Sequence, residues 1–90
     1  MQIKGVIRLA DLQEHPPGSD RIEIVLSVQG VGAGHPRRLV IPFEYLLKEE
    51  GLEPEALIGR GFLAEIMEDD TGRWIVHELA LASRVLRQDS

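Results

Sequence analysis

The chain contains no cysteine, which excludes disulfide staples and thiolate metal centres and fits a reducing compartment. Aromatic residues are scarce: Phe43, Tyr45, Phe62 and Trp74 are the full set, so any surface that stacks bases would rest on few rings. No apolar run approaches the roughly 20 residues that cross a bilayer. No basic, apolar leader stands at Met1. The sequence therefore reads as soluble and cytoplasmic, with no membrane role. Cations are outnumbered, 10 Lys plus Arg against 15 Asp plus Glu for a net charge of -5. That balance argues against a strongly adhesive nucleic-acid binder while leaving room for a local basic face. Ninety residues make one domain, 1–90, near the small end of what buries a core alone, so a homo-oligomer, a dimer, is expected.

What is present is strand alternation. Residues 2–9 place Ile3, Ile7 and Leu9 on one face and Lys4, Val6 and Arg8 on the other. Gly5 interrupts the inner face, as a bulge or bend would. Residues 11–20, with Pro16, Pro17 and Gly18, read as an extended connection. Residues 21–29 keep period two throughout, with Ile22, Ile24, Leu26 and Val28 inward and Arg21, Glu23, Val25, Ser27 and Gln29 outward. A glycine-rich loop over residues 30–36 leads through Arg37 and Arg38 into a third strand at Leu39, Val40 and Ile41. Pro42 suits the first position of a short helix that shares Phe43, Leu46 and Leu47 on one face and ends at Gly51. Residues 54–58 add a second short turn.

Residues 57–86 form the clearest unit, a hairpin with an acidic turn at Glu68, Asp69 and Asp70 closed by Gly72. Phe62, Ala64, Ile66, Ile75, Leu79 and Leu81 are expected inside; Leu63, Met67, Trp74 and Val76 are expected outside. Residues 78–87 also suit a helix by propensity, and strand is expected through Leu81 or Ala82. Three strands, a helix and two strands is the order of an all-β, five-stranded Greek-key OB-fold barrel with one short helix between its third and fourth strands.

The residues Gly5-Val6-Ile7-Arg8-Leu9, Pro17-Gly18-Ser19-Asp20-Arg21 with the alternating segment that follows, Arg37-Arg38-Leu39-Val40-Ile41-Pro42-Phe43, and the closing hairpin resemble, in order and spacing, the bacterial single-stranded DNA-binding proteins and the related primosomal replication protein. The resemblance implies binding of single-stranded nucleic acid, DNA first, without base specificity, in replication, repair or recombination, with replication or repair proteins as partners. The chain departs from that family in having few outer aromatics, Ile66 where the fourth strand commonly carries glycine, and no acidic tail with a hydrophobic tip.

On this reading Lys4, Arg8, Arg21, Arg37, Arg38 and Trp74 are the nucleic-acid-binding candidates. The loop arginines would neutralise phosphates, although a flexible hairpin kept soluble by arginine reads equally well. Leu63, Met67, Trp74 and Val76 make an apolar outer patch, which suits a subunit interface slightly better than base stacking. An OB-fold interaction or structural module without nucleic-acid binding is the rival reading. The glycines at 30, 32 and 34 do not make a dinucleotide fingerprint, because a strand and not a helix follows them. The carboxylates at 68–70 suit a solvated turn better than a cation site. His77-Glu78 lacks the second histidine of a zinc-protease motif, and no nucleophile, base and acid stand at a recognised spacing. Neither an enzyme nor a cofactor is expected.

Overall fold

The uninterrupted alternation after Arg21 produces the longest shared ladder of the molecule. A computed structural model describes residues 1–32, 34–49 and 51–82. It contains β1 (Gln2–Glu14), β2 (Ile22–Gly30), β3 (Arg38–Ile41), α1 (Phe43–Lys48), α2 (Pro54–Leu57), β4 (Gly61–Glu68) and β5 (Trp74–Leu81). The strands close into a barrel in the order β1-β2-β3-β5-β4, with β4 returning to β1. This is the expected OB-fold topology, with two short helices between β3 and β4. Strand character ends at Leu81, as expected; the helical alternative for residues beyond 82 lies outside the described residues.

β1 runs further than its own pattern suggests, because β2 supplies a partner as far as Glu14↔Ile22. The register shifts between Ile7 and Leu9, so Arg8 is an extra residue opposite β2, a bulge. Ile3 and Ile7 are buried before it and Ala10 after it, while Leu9, expected inside, turns out to solvent. Gly5 serves a different purpose: a Cβ there would lie 2.1 Å from the Gln29 carbonyl oxygen, so only glycine allows β1 and β2 to close at that point. The connection is tighter than the extended one expected. The His15–Pro16 peptide is cis, and Ser19 N–H donates to the Pro16 carbonyl.

The closing hairpin carries a second bulge. Glu65 faces Glu78 but Ile66 faces Val76, leaving His77 as the extra residue of β5. The inward set therefore changes phase, from Leu79 and Leu81 to Val76 and Trp74. Val76 is 1% exposed and belongs to the core, which corrects its expected outer position. Trp74 is half-buried against that core. Ile75, expected inside, instead pairs with the exposed Met67.

Helix α1 packs against β2, with Tyr45 reaching β5, and α2 packs against β1. Tyr45 and Leu46 pack on the core, Leu47 is exposed, and Leu57 of α2 is buried. The expected Phe43-Leu46-Leu47 face is thus replaced, because Phe43 lies instead beneath the Arg21 guanidinium, 4.9 Å from its carbon to the ring centroid. The β3–β5 seam is thin. β3 and β5 run parallel with Val40↔Ile75 as their registered pair, and side chains brace it on either side. Arg73 Nη2 donates to Glu23 Oε1 at 2.5 Å from the start of β5 to β2, reaching past β3. Leu79 N–H donates to the Tyr45 hydroxyl at 3.1 Å. Glu23 is the buried charge among the described residues, 8% exposed, and without Arg73 its carboxylate would lose its compensating cation.

A double-mutant cycle on Glu23→Ala and Arg73→Ala is expected to give a coupling of about 1–3 kcal/mol in urea unfolding; additive effects would contradict the brace. Gly5→Ala is expected to destabilise by at least about 2 kcal/mol through a backbone clash that no rotamer relieves, read from the same unfolding midpoints.

Candidate nucleic-acid interface

Cations can hold phosphate only where their charge is not already matched. Among the described residues three positive groups are matched by carboxylates: the N-terminus by Glu65, Arg21 by Glu44 and Arg73 by Glu23. Arg21, expected in the binding face, is therefore engaged at the Phe43 end of the barrel and does not join the other candidates. Lys4, Arg8, Arg37 and Arg38 have no such partner among the described residues.

These four lie along adjoining clefts. The first, about 690 Å³, has Lys4 and Arg8 over a largely apolar wall that includes Phe62 and Leu63. Gln29 and Gly30 line it and also the second, about 470 Å³, where His35 and Arg37 stand opposite. Arg37 continues into the third, about 460 Å³, with Arg38, Val40, Arg73 and Trp74. Shared lining residues thus place the three clefts in the order Lys4 to Trp74 around the root of the β2–β3 loop.

Local structure explains the positions. Arg8 occupies the β1 bulge, and its Nε and Nη2 donate to Gln29 Oε1 at 3.0 and 2.5 Å; a neutral amide holds the guanidinium without cancelling its charge. The loop is tied at its roots by Val31 N–H to the Lys4 carbonyl and Val28 N–H to the Arg37 carbonyl, both 2.9 Å. His35 folds back, its Nε2 meeting the Val31 carbonyl, and its ring lies so close to Gly30 that a Cβ there would meet it at 2.8 Å. Arg37 and Arg38 therefore issue from an anchored root.

The aromatic contribution is smaller than the charge. Phe62 is in the core, Phe43 is under Arg21, and Tyr45 is bonded to β5, leaving the half-buried Trp74 as the ring that reaches these clefts. The proposed apolar patch does not hold together either. Leu63 and Met67 are exposed on β4, the latter at 61%, but Glu65 stands between them in an ion pair with the N-terminus, and Val76 is inside. Gly30 begins the glycine-rich loop singled out from sequence, whereas Gln29 and Arg73 were not. The polar residue ending β2 just before the glycines, and the arginine preceding Trp74, were the available signals.

The acidic turn is self-contained. Asp69 Oδ1 accepts from the Thr71 hydroxyl at 2.8 Å and from the Thr71 and Arg73 N–H groups at 2.9 Å. The Thr71 hydroxyl first, then the Arg73 N–H, hold its carboxyl below the usual aspartate range. Among the described residues no three His, Asp or Glu side chains converge as metal ligands. Comparison with protein-family models, with curated proteins and with solved structures found no match to the chain.

Because the folded pKa of Asp69 lies below its unfolded value, its contribution to stability is full above the ordinary aspartate range and is lost as pH falls through the folded value. Asp69→Ala is expected to lower the melting temperature clearly at about pH 7 and by less at about pH 2, because protonation of the carboxyl weakens the bonds it accepts. An equal gap at both pH values would contradict this assignment.

Proposed function

We propose that this OB-fold protein binds single-stranded nucleic acid, DNA first, along the track from Lys4 and Arg8 through Arg37 and Arg38 to Trp74. The observation that carries the reading is that three clefts sharing lining residues, Gln29 and Gly30 between the first two and Arg37 between the last two, hold four cations that no carboxylate matches among the described residues. Guanidinium and ammonium groups along a groove meet phosphates without regard to base identity. Trp74 adds one stacking surface, worth about 1–3 kcal/mol, so electrostatics dominates. The overall charge of -5 keeps affinity modest. A role in replication, repair or recombination follows from the resemblance in segment order to the single-stranded DNA-binding and primosomal proteins.

A second reading, an OB-fold protein-interaction module, is favoured by the absence of a fully exposed aromatic ring among the described residues and by the exposed Leu63 and Met67. The two readings separate on charge. On the first, a labelled oligothymidylate binds with a slope of log K against log salt of about -3 for four phosphate contacts, a loss of roughly fiftyfold between about 50 and 200 mM salt. Binding quenches Trp74, and Arg37→Glu with Arg38→Glu abolishes it while the fold persists. Salt-independent anisotropy with unchanged tryptophan emission would reject the nucleic-acid reading. A loss of protein association on Leu63→Glu, with the arginine variants silent, would favour the second.

A further inference from the structure

Arg60 stands in the connection between α2 and β4, and its backbone is fixed on both sides. Its N–H donates to the Leu57 carbonyl at 3.2 Å and its carbonyl accepts from Ile7 N–H at 2.9 Å, which sets it beside β1 just before the Arg8 bulge. The side chain crosses to the end of β5. There Nε and Nη2 donate to the Ala82 carbonyl at 3.1 and 2.6 Å. A peptide carbonyl is neutral, so the guanidinium keeps its charge, and no carboxylate forms an ion pair with it among the described residues. Arg8 is held in the same manner by the amide of Gln29. Both forks are thus oriented by neutral oxygens and keep the N–H groups of Nη1 to give.

The register places the two acceptors in one row. Gln29 pairs with Val6 on β1, and Val6 pairs with Gly61 on β4. Ala82 N–H donates to the Gly61 carbonyl at 2.9 Å, one step past the Phe62↔Leu81 pair. Gln29, Val6, Gly61 and Ala82 therefore lie in line across β2, β1, β4 and β5, and all of them line the first cleft. Neighbouring strands are about 4.8 Å apart, so the Gln29 and Ala82 backbones are separated by roughly 14 Å, with a guanidinium held at each. Between them the row carries no charge, and Gly61 contributes no side chain. Two residues further along each strand Lys4 pairs with Leu63, which sets an ammonium and an apolar wall beside the row.

We propose that Arg60 is a further cation of the nucleic-acid site and that a single strand crosses the sheet along this row, from Arg60 at the end of β5 to Arg8 beside β2, before it reaches Arg37 and Arg38. A guanidinium fork meets a pair of phosphate oxygens where an ammonium offers a point charge. Here one pre-oriented fork stands at each end of an uncharged floor, so a sugar-phosphate backbone laid along the row is held at both ends of the first cleft. The inference rests on the nucleic-acid reading and adds to it a residue and a route. Lys48 provides the contrast. It lines a cleft between α1 and β5 with Glu44 and Glu49, and that cleft shares no lining residue with the three clefts of the site.

Titration of a labelled oligothymidylate over a range of salt concentrations tests it. Each phosphate contact to a single strand contributes about 0.7 to the slope of log K against log salt. Arg60→Gln is expected to flatten the slope by about 0.7 and to weaken binding roughly fivefold to tenfold at about 50 mM salt. Arg60→Lys keeps the charge and is expected to keep the native slope, as is Lys48→Gln. Ala82→Glu leaves Arg60 and its carbonyl acceptor in place but sets a carboxylate beside the fork, and is expected to flatten the slope as Arg60→Gln does. An arginine that only tied the α2–β4 connection to β5 would give another pattern, both Arg60 variants melting lower with the slope unmoved. A native slope in Arg60→Gln or in Ala82→Glu, while Arg37→Gln flattens it, would overturn this inference and leave the nucleic-acid reading standing. Native slopes in Arg60→Gln and Arg37→Gln alike would remove that reading and this inference with it. A slope flattened equally by Lys48→Gln would trace the effect to net charge and overturn the inference too.

Discussion

A barrel of five strands is only as closed as its weakest seam, and here that seam is the parallel contact of β3 with β5. One registered pair, Val40↔Ile75, would leave the sheet prone to open. The Arg73–Glu23 ion pair joins the start of β5 to β2 across β3, and the Tyr45 hydroxyl joins α1 to β5. Each replaces a missing ladder contact with a side chain. Burial makes the ion pair consequential: an exposed pair is worth little, whereas a carboxylate as enclosed as Glu23 is costly to leave unmatched. The same pair also sets the electrostatics of the third cleft. It cancels Arg73, so the positive character there comes from Arg37 and Arg38.

Much of the fold was legible because its information is local. The alternation after Arg21 gives β2 and its inward face, the Gly72-ended turn gives the β4–β5 hairpin, and the segment order gives the strand order of an OB-fold. Gly5 was legible as a special backbone position. What stayed hidden depends on a partner strand. A bulge is a mismatch in count between two strands, so neither Arg8 nor His77 announces itself in its own segment. Each inverts the alternation beyond it, which is why Leu9 turns outward and why Val76 and Trp74 turn inward. The apolar patch inferred from sequence was a correct reading of period two applied across a bulge.

The candidate site was legible in composition and obscure in arrangement. Arg37 and Arg38 beside a glycine-rich loop and Lys4 with Arg8 on β1 are sequence signals, but which cations are already matched is a tertiary fact. Arg21 looks no different in sequence from Arg8. One meets Glu44 and the Phe43 ring and the other meets the amide of Gln29, and that difference decides which charge is available to a phosphate.

The Arg8 bulge connects the charged track with the course of β1. An extra residue in β1 bends the strand and raises its twist, just past Val6, where β4 stops accompanying it. The same residue delivers its guanidinium to Gln29 at the junction of the first two clefts. Past it, residues 9–14 are registered with β2 alone. Pairing the same sequence without the bulge would restore simple alternation, carry Leu9 inward, and shift every later residue of β1 to the opposite face, whereas removing Arg8 would leave Leu9 outward and Ala10 inward. The position of the cation and the outward turn of Leu9 are thus two consequences of one extra residue.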